Sequence, residues 1–400
     1  MCLAFINGCA PAPDKIIPGE MTMHFPFAMA IKNNTLLVSS QSIDNKYGYG
    51  RLIALDTELL SKNLAAWQSS VIGNTLIPLD VGLITYTDRI IFASKESNSL
   101  YAAQEPLCNS PAQSIEACPG SASIKLAKND PYALALLAKK PEQDIVLTGY
   151  LSSGHLDLIK INKQTNSTTL EYIKTVKLQN LFNTPDQKII TKNIIINKDK
   201  VFLLLERKIS TEFIHKKIQR DADFKLTTLR KNTGALLIAI KTQDLLDQEN
   251  ITSSMITVWD LHDINISLAQ DFYIDDTQSH AIILSRAPEA LYKFDLKNKT
   301  IIDKQIICQG ASSLAVSPTR DRLFVPCFND NRVLSFTLSS LGLVAASLTH
   351  GQGPAFAVVD DKHKLLYVSN NLEGTVSVYN FDLKFLGHIF AKAPRNQTGS

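Results

Sequence analysis

"YVSNNLEGTVSVYNFDL", residues 367 to 383, reads as two short strands rich in β-branched and aromatic residues around the turn Asn370-Asn371-Leu372-Glu373-Gly374. Moved back 43 residues, it falls without a gap on "FVPCFNDNRVLSFTLSS", with Tyr367 on Phe324, Val376 on Val333 and Tyr379 on Phe336. The match extends upstream, where Gly353 falls on Gly310 and Val359 on Val316. A further 42 residues back, "AIILSRAPEALYKFDL" takes the same place, with Ile282 and Ile283 under Phe324 and Val325. The stretch is therefore one unit of a repeat, and its aromatics and valines read as packing.

Each unit has an apolar first strand ending in a polar turn (Asp360-Asp361-Lys362, Ser317-Pro318-Thr319, Asp275-Asp276-Thr277). A second strand, a short turn, a third strand and a more polar fourth ("LVAASLTH", "TIIDKQII") follow. Four short strands every ~40 to 45 residues is the period of a β-propeller blade. Nearly continuous apolar runs in the inner strands fit burial on both faces. Earlier units are looser, and the whole chain divides into blades over about 25–72, 76–128, 130–179, 188–261, 264–307, 308–350 and 351–391. The expected fold is thus all-β: a seven-bladed β-propeller of four-stranded antiparallel blades over 25–391, between an N-terminal tether (1–24) and a short tail (392–400).

With 45% hydrophobic and 20% charged residues the chain can bury a substantial core, and a formal charge of +3 over 400 residues gives no reason to expect nucleic acid as a partner. Cys108 and Cys118 bracket "CNSPAQSIEAC", and Cys308 and Cys327 flank one strand and its partner. Two short-range pairs read as disulfides of an oxidising compartment, with buried thiols as the other possibility. Zinc is disfavoured, because no pair has the two-residue ligand spacing and no histidine pair accompanies them.

The N-terminal "MCLAFINGCAPAPDK" resembles a bacterial lipoprotein lipobox, in which the cysteine, here Cys9, is lipidated. A secretory signal needs a basic segment and an apolar core of roughly 7 to 15 residues, so this reading requires a start upstream of Met1; otherwise the segment is a frayed tail. The final two units, "LAVSPTRDRLFVPCFNDNRVLSFTL" and "FAVVDDKHKLLYVSNNLEGTVSVYNF", resemble the YVTN repeat of seven-bladed propellers, including the lactonase-like family. That resemblance implies the fold and, in some members, hydrolysis using acidic, His and Arg residues near the central channel, none of which matches a motif here.

In a propeller the first strands line the channel, and the turns joining second to third strands share one face with the connections between blades. Two connections depart from the compact template there. "QSIDNKYGYGR" puts Tyr47 and Tyr49 on the rim, where tyrosines supply contact area at low entropic cost unless they fold back on their own blade. The insertion between Glu206 and Gly234 carries Lys216, Lys217 and Arg220 among other bases, suiting an acidic partner or a merely solvated face. On the first strands Asp80 and Gln270 align with Ser312, and Asp271 follows; His155 sits in a rim turn. Carboxylates facing a channel can act as a base or bind a metal, but without a partnering His or Glu pattern no catalytic or metal set is assigned, and no cofactor is expected. The function expected is a non-enzymatic, lipid-anchored envelope scaffold binding a protein or polymer through one rim face, with a lactonase-like hydrolase as the alternative.

Overall fold

The alternation of side chains in the last unit decides how its blade is held. In the strands Leu365–Asn370 and Thr375–Asn380, Tyr367, Val376 and Val378 pack into a cluster shared with Leu36, Val38 and Ile53 of the first blade. Leu366, Val368 and Tyr379 point the other way, into a cluster with Phe324 and Val333 of the sixth. Both faces are buried, so the two-residue period of a half-exposed strand is replaced by a continuous apolar run.

The computed structural model describes residues 25–40, 49–78, 81–86, 88–104, 107–164, 167–182, 187–209 and 234–390. They form a seven-bladed β-propeller in which every blade contains four antiparallel strands taken in chain order from the axis outward. The inner strands are Pro26–Lys32, Val81–Tyr86, Pro131–Lys139, Gln187–Asn197, Leu268–Ile274, Ala315–Ser317 and Pro354–Asp360. Among the described residues no strand is exchanged between the first and last blades to close the ring. Closure rests on side chains: Trp67 meets Phe390 edge-on at 4.8 Å, Asn371 Nδ2 donates across to Pro26 O at 3.4 Å, and Lys362 Nζ reaches Glu58 at 2.8 Å.

Both cysteine pairs are disulfides, with Cα separations of 5.6 Å for Cys108–Cys118 and 5.9 Å for Cys308–Cys327, inside the usual range. The first has a role the sequence did not disclose. It closes a loop whose strand Asn109–Ser114 lies parallel to the outer strand of the first blade, Val71–Ile77, as a fifth strand. An otherwise open sheet edge is thereby covered. Two disulfides point to a non-cytoplasmic, oxidising location. Among the described residues no helix is long and apolar enough to cross a membrane.

Candidate functional site

Near the start of the inner strands the pairing register slips. The slips fall between Pro26 and Met29, Val81 and Ile84, Pro131 and Ala133, Thr191 and Asn193, Ala269 and Asp271, and Pro354 and Phe356. In the sixth blade an isolated bridge at Ala311–Cys327 precedes the pairing that begins at Ala315. A bulge bends a strand and re-aims its side chains, so this ring of slips turns Tyr132, Lys192, Gln270 and Ser312 to the wall of one cavity. Hydroxyls of the second strands meet backbone groups beside the slips: Ser39 donates to Ala28 O and Thr148 to Ala133 O, each at 3.2 Å, and Ser369 accepts from Phe356 N at 3.0 Å.

The cavity lies in the central channel and has a volume of about 740 Å³, the size of a small-molecule site. It runs beside the sixth blade from Gly310 to Pro318 and is walled by the aromatic rings of Phe27, Tyr132, Phe328 and Phe356. At the end carrying the turns between second and third strands it meets Arg286 and Asn329. That corner is held firmly: Cys308–Cys327 ties the sixth blade's lead-in to its second strand, and Phe328 N donates to Gly310 O at 3.0 Å. Gly310 has φ +73°, and a Cβ there would stand 2.8 Å from Asn329, so neither the conformation nor the space admits a side chain.

Asp271 is the carboxylate of this wall. Its Oδ2 accepts from Leu314 N at 2.8 Å, and its Oδ1 from Asn193 Nδ2 at 2.6 Å and Phe272 N at 2.8 Å. Burial pushes its pKa up to about 6 against the opposing pull of those three hydrogen bonds. Tyr132, on the inner strand of the third blade, is pushed up to about 12 by burial first and then by the negative charge of Asp271. Lys192 is tied to Glu206 at 2.9 Å. Gln270, Arg286 and Asn329 make no side-chain hydrogen bond or ion pair among the described residues, and Ser313 Oγ is buried without a partner. The wall therefore combines aromatic surface, one carboxylate and several polar groups with unused capacity.

Of the residues singled out from the sequence, the structure brings Asp271 into this cavity and places His155 elsewhere, at the start of the third strand of the third blade. His155 is half-buried; burial, more than any charge, lowers its pKa. Tyr49 is exposed beside the third strand of the first blade, on the channel-mouth face. Cys9, Tyr47, Asp80, Lys216, Lys217 and Arg220 lie outside the described residues. At the base of the basic insertion, Arg207 is already paired with Asp260 at 2.7 Å and Lys208 with Glu206 at 3.5 Å, so those two bases belong to the blade. Sequence reasoning missed Tyr132 and Lys192, since nothing in a strand pattern marks a slipped register, and Arg286, which lies at the end of the second strand of the fifth blade. Among the described residues no group of three or more His, Cys, Asp or Glu side chains is placed to hold a metal ion.

No family model and no curated protein matches the sequence. The fold is similar to that of solved propellers. They include Kuenenia stuttgartiensis hydrazine synthase (12% identity, TM-score 0.56, covering 90% of this chain and 97% of that one). Another is the β-propeller domain of Myceliophteria thermophila Swd1 (8%, 0.56, 89% and 97%), and a third is Kluyveromyces lactis Hsv2 (12%, 0.52, 91% and 98%). At such identities the likeness is one of fold, and it defines the class: a seven-bladed β-propeller. Within that class these neighbours are too varied to single out an activity.

Proposed function

We propose that this protein is a non-enzymatic binding scaffold of the bacterial cell envelope, lipid-anchored through Cys9, that presents its channel-mouth face to a protein or envelope polymer. The observation that carries the reading is the concentration of unusual features on that face. Exposed Tyr49, Arg286 and Asn329 with no partner among the described residues, the mouth of the cavity and the base of the insertion after Glu206 all lie there. The two disulfides and the lipobox-like "INGC" segment support an exported location, and the YVTN-like repeats support a rigid, closed framework. Capture of partners from detergent-solubilised envelope by the full chain and by a variant lacking residues 210–233 tests the face. The reading expects at least one partner lost with the insertion; identical recovery of every partner removes the insertion from it. Labelling with radioactive palmitate tests the anchor, with incorporation expected in the chain and absent in Cys9→Ser.

One observation favours a second reading. A carboxyl group with its pKa near 6 is suited to general-base work, as a lactonase-like hydrolase would need. A lactone screen in which turnover is absent, or equal in the chain and in Asp271→Asn, eliminates it.

A further inference from the structure

Among the described residues the channel wall holds a negative charge that no positive one pairs. Asp271 makes no ion pair among the described residues, and the groups that favour its ionised form are two backbone N–H groups and the Asn193 amide. The cations that border the same cavity are engaged or peripheral: Lys192 is held at 2.9 Å by Glu206, and Arg286 sits at the exposed mouth. A carboxylate can accept about four hydrogen bonds, so three leave it with a free lone-pair direction. The same cavity is walled by Tyr132, Phe27, Phe328 and Phe356, all half-buried, with Tyr132 near enough to feel the charge of Asp271. Aromatic faces attract cations through the ring quadrupole, and do so more strongly when water is excluded.

We infer that the channel is a binding site for a small organic cation, an ammonium or quaternary ammonium group set against Asp271 with its carbon substituents on the aromatic walls. The cavity of about 740 Å³ accommodates such a molecule with room for a polar tail. Gln270 and Asn329, unpaired among the described residues, and the buried Ser313 hydroxyl are available to that tail. The ammonium replaces the missing counter-charge, so binding is selective for charge over shape. The inference is independent of what the rim face captures: a channel that binds a cation is compatible with either outcome of the partner-capture experiment.

The test compares choline with 3,3-dimethylbutan-1-ol, its uncharged carbon isostere, by isothermal titration calorimetry on the full chain at pH 7.5. Choline is expected to bind one-to-one and at least about tenfold more tightly than the alcohol. Asp271→Asn, checked for native circular dichroism, should abolish that preference. Tyr132→Phe, which keeps the ring and removes only the hydroxyl, should leave choline affinity within about twofold, while Tyr132→Leu should weaken it. Equal affinity for the two probes, no choline binding by the folded chain, or a preference that survives in Asp271→Asn would overturn the proposal.

Discussion

Asp271 and Tyr367 show how differently two buried polar side chains act on stability. Burial raises the carboxyl pKa of Asp271 from 3.8 to about 6, so between those values the folded chain holds a proton that the unfolded chain has released. Stability contributed through this group therefore rises as pH falls from about 6 toward 4 and is lower above 6. Urea titrations of the chain and of Asp271→Asn at pH 7 and pH 5 should show a gain on acidification in the former that is smaller in the latter; equal pH dependence would contradict the burial of this charge. Tyr367 is buried completely, with a hydroxyl that has no hydrogen-bond partner among the described residues and whose pKa burial drives up. Phe324 occupies the equivalent place one blade earlier. Since an unsatisfied buried hydroxyl costs about 1 to 3 kcal/mol, Tyr367→Phe should leave stability unchanged or raise it by about 1 kcal/mol. A loss of that size in urea unfolding would mean the hydroxyl has a partner.

At the scale of the strand, legibility followed the source of each feature. The last three blades were readable because their strands repeat at steps of 43 and 42 residues, and the alternation of Tyr367, Val376 and Val378 against Leu366, Val368 and Tyr379 requires two packed faces. The ring of register slips was not readable, because a one-residue slip leaves composition and spacing unchanged. Asp271 drew notice only through its place beside the aligned Gln270 and Ser312. The fifth strand of the first blade was also hidden: Asn109–Ser114 contains Pro111 and few apolar residues, and the loop that carries it is closed by the Cys108–Cys118 disulfide. The Cys108→Ser/Cys118→Ser variant should lose about 2 to 4 kcal/mol of stability. It should also show faster amide exchange in Val71–Ile77, where the covering strand would be released. Faster exchange confined to the loop itself would show that the bond does not hold the edge.

For the whole molecule, the sequence disclosed the ring but not how it closes. Glu58 and Lys362 are separated by most of the chain, and no local pattern joins them. Lys362 is the largest influence holding the Glu58 carboxyl well below its usual range, at about 2, with His363 and Lys62 assisting. A depressed carboxyl pKa contributes stability that is present above its unfolded value and is lost as pH falls toward 2; salt screens this exposed pair. The apolar part of the seam is stronger. Trp67, 5% exposed and set against Phe390, should cost about 3 to 5 kcal/mol as Trp67→Ala. Exchange protection should fall first in the first and seventh blades. Uniform loss across all blades would mean that the seam is no weaker than the other blade junctions.

The central claim is that one face of this ring, the one surrounding the channel mouth, does the binding. The most direct measurement is site-specific photo-cross-linking in intact cells, with the photoreactive residue placed at Tyr49, at Asn329 and, on the opposite face, at Lys362. The claim predicts discrete cross-linked adducts from Tyr49 and Asn329 and none from Lys362. Adducts from Lys362 alone, or no adduct from either mouth-face position, would contradict it.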